Sequence, residues 1–279
     1  LAIEAEADAL LADSDKLSAK AFFDLTSFAH SGLFDNCQYV WEGLAKLQDY
    51  LRGRAAGNLR ALGRFRRPLA RTMVLWQGEI WSRGCEILGG EVSTGNFRVR
   101  IEGKEVTDAS VLYAGSVLWD AQIVIAPGCV VEPGALIQGP TIIGANTEIR
   151  HGAYVRGGCL LGSRCVVGHT TEIKGSIMLN DAKAGHFAYI GDSILGHAVN
   201  LGAGTKLANL KLKGGTVCVP TGSGRVDTGL GKFGAVLGDG VQIGCNAVTN
   251  PGTLLGKGCL VLPLTCVSAG YHELQSLAC

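Results

Sequence analysis

Proline is scarce in this chain, seven residues of 279. So little proline excludes a collagen-like triple helix, which depends on it. An excess of charge of one sign is missing too: Lys plus Arg number 25 and Asp plus Glu 24, a formal charge of +1. That balance argues against a surface built to neutralise a phosphate backbone or an anionic membrane, so neither nucleic acid nor a membrane is expected as a partner. No hydrophobic run approaches the roughly 18 residues of a membrane-spanning helix. The opening stretch LAIEAEADALLADSDK is acidic and lacks the basic start of a secretory signal. None of the ten cysteines forms a C-x-x-C pair, which removes the common zinc and dithiol-redox patterns. A reduced, cytoplasmic setting is expected.

What is present is glycine, 41 residues, beside a hydrophobic content of 47% that excludes disorder. Many tight turns between short buried strands are implied, and their order is a repeat. Ile125, Val131, Ile137, Ile143, Ile149, Val155, Leu161, Val167, Ile173 and Leu179 recur every six residues. Two positions ahead of most of them stands a small residue: Cys129, Ala135, Thr141, Thr147, Ala153, Cys159, Cys165 and Thr171. Residues two apart on a strand share a face, so each pair points inward. Three six-residue sides close a coil of 18 residues, which predicts a mainly β fold, a three-sided parallel β-helix. The pattern returns at Leu237, Ile243, Leu255, Val261 and Val267. Four cysteines, Cys129, Cys159, Cys165 and Cys259, fall in packing positions.

Two interruptions break the repeat. Between Leu179 and Tyr189 the spacing is ten, which predicts a four-residue bulge carrying Lys183 and His186. From about Lys211 to Gly231 a glycine-rich stretch predicts a longer excursion. Upstream, Asp15 to Leu62 has helical periodicity for about two helices, and the basic run Arg64, Arg66, Arg67, Arg71 around Pro68 reads as a solvated linker. The expected organisation is a helical region over 1–68, an irregular β linker or cap over 69–112 and the β-helix over 113–279.

Coil arithmetic places residues 18 apart directly over one another, about 4.8 Å apart. Arg156 and Lys174 stand in that relation, and stacked cations make a candidate phosphate site unless carboxylates such as Glu172 neutralise them. His151 and His169 are also 18 apart, which raises a zinc reading. His197 falls on another face once the bulge is removed, so no third ligand joins that column and no metal is expected.

The stretch from Tyr154 to Asn209 contains Y-V-R-x-G, E-x-K, K-A-G-H-x-x-Y-x-G-D and N-x-G-A-G-T-x-x-x-N. It resembles the acetyltransferase domain of the bifunctional glucosamine-1-phosphate acetyltransferase and uridylyltransferase family (GlmU). It equally resembles the related domains of archaeal sugar-1-phosphate nucleotidylyltransferases, and the likeness resumes at KFGAVLGDGVQIG from Lys232. The resemblance implies a left-handed β-helix, acetyl-CoA as co-substrate, an amino-sugar 1-phosphate as acceptor, and a homotrimer with sites between neighbouring helices. It assigns Arg156, Lys174 and Lys232 to the phosphate, and Tyr189 and Asn200 to the sugar. His186 becomes the general base, Asn209 a contact to the substrate amine or the developing oxyanion, and Ala203 and Cys245 the lining of the acetyl-CoA groove. A histidine titrating near neutrality suits removal of the proton from a sugar ammonium, which cannot attack a thioester while protonated. The competing expectation is a non-catalytic β-helix used for assembly or sugar-phosphate sensing.

The chain departs from the pattern in places. It has no G-x-G-T-R signature, so nucleotidyl transfer is not expected of it. Leu210 and Lys211 follow Asn209 where the family has an aromatic and an acid. Cys245 stands for a serine and Pro263 for a small residue, both on the acetyl-CoA side.

Overall fold

The computed structural model describes residues 15–63, 65–221, 224–273 and 277–278. Arg64 of the basic run and Cys279 lie outside them. The chain winds into a three-sided parallel β-helix of the left-handed hexapeptide class, about nine turns long. The first face is an eleven-stranded sheet, and the second and third faces have eight strands each. Parallel pairs such as Leu136↔Tyr154, Thr141↔Cys159 and Glu148↔Val166 confirm the 18-residue coil in its early turns. The inward aliphatics and their small companions form one buried column of core, Ile137, Ile143, Ile149, Val155 and Leu161 among them.

After Ile173 the coil tightens. Leu161 pairs with Met178 and Ile173 with Ile190, a period of 17. One residue is lost at the corner that leads into the third face, and serines occupy the tightened turn. Ser176 Oγ donates to Lys174 O and accepts from Ser193 N, while Ser193 Oγ donates to Gly191 O. The expected four-residue bulge therefore does not form. Lys183–His186 is a strand of the first face, with Val166↔Lys183 and His169↔His186 in register. Met178 takes the inward place expected for Leu179, which faces out toward the N-terminal region. Small Ala184 fills the next inward position, so a six-residue ruler looking for large aliphatics loses the frame there.

The third face is apolar on both sides. Ile142, Leu160, Ile177, Ile194, Val236 and Leu254 point outward from it and are buried under Phe22, Phe23, Trp41, Leu47 and Leu51 of the N-terminal region. Helix Glu42–Arg54 belongs to this cover. Each buried aliphatic contributes on the order of 1.5–3 kcal/mol of transfer free energy. Hydrogen bonds pin the cover at the chain's corners: Asp24 N to Asp239 Oδ2 at 2.6 Å, Asp239 N to Phe22 O at 2.9 Å, and Asn180 Nδ2 to Ser27 O at 2.9 Å. The expected excursion is an antiparallel hairpin, Cys218–Thr221 with Gly224–Asp227. Rather than standing free, it folds back so that Val217 and Val219 extend the same apolar cover.

At the N-terminal end the strand Met73–Trp76 runs antiparallel to Ser110–Leu112 and continues the first face, and a separate sheet of Cys85–Gly89, Arg98–Ile101 and Lys104–Val106 packs beside it. Among the described residues no helix is long and apolar enough to cross a membrane.

Burial pushes the thiols of Cys129, Cys159 and Cys165 up to about 12, which leaves them almost wholly protonated near neutrality. Cys245 and Cys266 are exposed. Iodoacetamide at about pH 8 is therefore expected to modify Cys245 and Cys266 in the native protein and to reach the three core cysteines only after denaturation. Peptide mass spectrometry checks this, and native labelling of Cys159 or Cys165 would contradict the packing described.

Candidate functional site

The corner between the second and third faces gathers most of the polar residues singled out by sequence. Tyr154↔Glu172 and Val155↔Ile173 pair in register, so Arg156 sits directly over Lys174, as the coil arithmetic expects. The two cations are not bare, however. Arg156 Nη1 donates to Glu172 Oε1 at 2.6 Å, and Lys174 Nζ donates to Asp192 Oδ2 at 2.5 Å. The column is thus neutralised from within, which removes simple mutual repulsion as the sign of a bound anion. The Glu172 hydrogen bond raises the Arg156 pKa further, and the guanidinium also lies 5.7 Å from the Tyr154 ring centre.

One coil on, Asn209 reaches back under this pair. Its Nδ2 donates to Asp192 Oδ2, and the Tyr189 hydroxyl donates to its Oδ1 at 3.4 Å. Gly191 makes the room. It stands in register with Lys174, and a Cβ there would lie 2.7 Å from Asn209 Nδ2 and 2.8 Å from Tyr189 Oη. Lys232 is exposed at the end of the excursion. Its neighbour Phe233 donates from N to Asn209 O at 2.9 Å, and Gly234 N donates to Asp192 O at 2.9 Å. Five of the predicted residues, Arg156, Lys174, Tyr189, Asn209 and Lys232, therefore share one neighbourhood.

The others do not join them within the chain. His186 lies at the corner between the first and second faces, on a column traced by backbone hydrogen bonds: Thr170 N to His151 O, Phe187 N to His169 O, Gly204 N to His186 O, Asn246 N to Ala203 O and Leu264 N to Cys245 O. His151, His169, His186, Ala203, Cys245 and Pro263 thus follow one another along one edge. A third histidine does stand on the His151–His169 column, contrary to the sequence expectation, and it is His186 rather than His197. The His169 and His186 rings stack, 5.5 Å between centres at 25°. Beside them Phe187 is 61% exposed with a φ of 53°, a left-handed backbone uncommon for a bulky residue. Asn200 faces out from the first face, in register between Lys183 and Gln242. From His186 to Gly191 the chain crosses the second face, five steps of mostly extended backbone or about 16 Å.

Sequence reasoning gave Asp192 no role, although it holds Lys174 and Asn209 together. A signal was available. At this corner the preceding coils carry Gly139, Gly157 and Gly175, the last two with positive φ, and Asp192 adopts a φ of 46° in the same place. An aspartate thus takes the place of glycine at that turn, where its short polar side chain tolerates the left-handed backbone.

Because the Gly191 slot is filled by Asn209 and Tyr189, Gly191→Ala is expected to push both aside and to cost about 1–3 kcal/mol of stability by overpacking. Urea unfolding checks the cost, and a variant as stable as wild type would show that the corner is looser than described.

Part of the chain is similar to known proteins. Residues 137–263 match the family model described as the GMPPB C-terminal domain. The bifunctional sugar-1-phosphate nucleotidylyltransferase/acetyltransferase of Sulfurisphaera tokodaii is 35% identical over 106 residues, 37% of this chain and 26% of that protein. The bifunctional protein GlmU of Methylibium petroleiphilum is 34% identical over 161 residues, 57% of this chain and 31% of that protein. The chain spans about a quarter to a third of the length of these curated relatives. A solved perosamine N-acetyltransferase of Caulobacter crescentus, in complex with CoA and GDP-perosamine, covers 55% of this chain and 52% of its own at 15% identity and a TM-score of 0.30. An overlap that low decides nothing further. Residues 137–263 are thus similar to the GMPPB C-terminal domain, and part of the chain is similar in sequence to GlmU-type sugar-1-phosphate nucleotidylyltransferase/acetyltransferases.

Proposed function

We propose that the chain is an acetyl-CoA-dependent N-acetyltransferase acting on an amino-sugar 1-phosphate of the glucosamine-1-phosphate type, with His186 as general base. The observation that carries this is the Asn209 corner, where Arg156, Lys174 and Lys232 stand beside Tyr189 and Asn209. The internal ion pairs leave that corner able to bind an anion. A guanidinium has five N–H donors and an ammonium three, and each spends one on its carboxylate. The remaining donors can take a phosphate as charge-assisted hydrogen bonds. The Sulfurisphaera tokodaii relative is named for both sugar-1-phosphate chemistry and acetyl transfer, which supports the same substrate class here.

Only a few bonds separate the nitrogen and phosphorus of such an acceptor, whereas His186 lies about 16 Å across the second face from the cations of its own chain. The base must then come from a neighbouring copy whose histidine edge meets this corner, in a homotrimer. The third face is already covered by the chain itself, so the first and second faces are the surfaces for that meeting. His186 removes a proton from the ammonium, the amine attacks the thioester carbonyl, and collapse of the tetrahedral oxyanion expels the CoA sulfur, which leaves as the thiol with the second proton that the nitrogen sheds as the amide forms. Ala203 and Cys245, next along the histidine edge, would border the acetyl-CoA arm. Asn200, which faces out from the adjoining first face, would reach the sugar.

A second reading rests on the neutralised cations: a non-catalytic β-helix that senses a sugar phosphate or mediates assembly. Thiol release from acetyl-CoA with glucosamine-1-phosphate separates the two. Wild type is expected to turn over, and His186→Ala to lose about 10²–10⁴-fold in kcat with little change in KM. Absence of turnover in wild type would favour the sensing module, and an undiminished His186→Ala would place the base elsewhere.

A further inference from the structure

We infer that Asp192 is a positioning residue that fixes the Asn209 carboxamide with its oxygen free for the acceptor, so that Asn209 accepts a hydrogen bond from the substrate amine and does not donate one to the oxyanion. The inference rests on the acetyltransferase reading above and chooses between the two roles the sequence leaves open for Asn209.

An ionised carboxylate has acceptors only, so only the NH₂ end of a carboxamide can face it. Asp192 Oδ2 accepts from both Lys174 Nζ and Asn209 Nδ2. With one proton of Nδ2 spent there and the nitrogen packed at 2.7 Å from the Cβ position of Gly191, the NH₂ end is enclosed. Oδ1 is left on the opposite side, where the Tyr189 hydroxyl donates to it at 3.4 Å and one lone pair remains. A reversed amide would set its oxygen against the carboxylate and leave the NH₂ facing Tyr189, losing a charge-assisted bond. Asn209 is 8% exposed, so water cannot readily replace that partner.

Asp192 is itself held firmly. Its backbone N donates to Lys174 O and its O accepts from Gly234 N, both at 2.9 Å, and its carboxylate bears on Lys174 as well. The same group therefore sets the reach of one phosphate-side cation and the orientation of the amine-side amide. The geometry points to an acceptor that brings a hydrogen-bond donor to Oδ1, as an amine does, and it assigns oxyanion stabilisation to donors other than Asn209.

Exchange of donor and acceptor tests this. Asp192→Asn and Asn209→Asp are each expected to raise KM for glucosamine-1-phosphate about tenfold or more while leaving KM for acetyl-CoA within about threefold. In the double variant Asp192→Asn/Asn209→Asp the bond re-forms in the opposite sense and an acceptor still faces Tyr189, so activity is expected to return to within about fivefold of wild type. A double variant no better than the singles, or a fall in kcat alone in Asn209→Asp, would overturn the inference in favour of an oxyanion donor. A second readout does not need turnover. In asparagine-labelled protein, the Asn209 NH₂ resonances, identified by their loss in Asn209→Asp, are expected to exchange slowly with solvent and to become fast in Asp192→Ala. Fast exchange in wild type would overturn the orientation whether or not the enzyme is active. An inactive wild type with slow exchange would instead remove the acetyltransferase reading and leave the amide geometry standing.

Discussion

Each coil of this molecule hangs from the next by backbone hydrogen bonds in one parallel register, and every relation between distant residues depends on that ladder. Parallel strands carry about 4.8 Å per step, so side chains one period apart in sequence become neighbours in a column. The period is therefore the molecule's most consequential number. Where it is 18, Arg156 lies over Lys174. Where a corner drops one residue and it becomes 17, His186 lies over His169 and Asn209 comes under Asp192. A single residue more at that corner would rotate these side chains off their columns, since a one-residue slip sends a strand's side chains to the opposite face.

The same ladder leaves three outer surfaces, and the chain spends them differently. The third face is closed by the N-terminal region and the paired strands Cys218–Thr221 and Gly224–Asp227 through a continuous apolar layer. The second face carries the cations, tyrosines and carboxylates on the Asn209 side, and the edge it shares with the first face carries the histidines. On the acetyltransferase reading proposed above, the residues of the site are divided between two edges of one chain, and association of copies would be part of the chemistry. Within the Asn209 corner Glu172 and Asp192 hold Arg156 and Lys174 in place, a form of preorganisation.

Much of this was legible in the residues. The inward hexads, the small companions, the cysteines in packing positions and the stacking of Arg156 on Lys174 follow from periods of two and six. The frame was lost after Ile173, because small Ala184 mimics a gap and a five-residue side looks the same as an insertion to a fixed ruler. The expected bulge and the misplaced histidine column both come from that one lost residue. The cover on the third face had a signal too. Ile142-Ile143, Leu160-Leu161, Ile194-Leu195, Val236-Leu237 and Leu254-Leu255 are apolar on both sides of the strand, the mark of a sheet buried on both faces. What spacing could not supply was charge pairing. The partners of Arg156 and Lys174 are set by side-chain reach across a corner, which no count of residues contains.

The most direct measurement is a crystal structure of the protein with glucosamine-1-phosphate and CoA. The phosphate is expected among Arg156, Lys174 and Lys232 of one copy, with the sugar nitrogen at hydrogen-bond distance from Asn209 of that copy and from His186 of its neighbour. A sugar phosphate bound elsewhere, or one whose nitrogen meets no histidine of any copy, would contradict the division of the site between two edges.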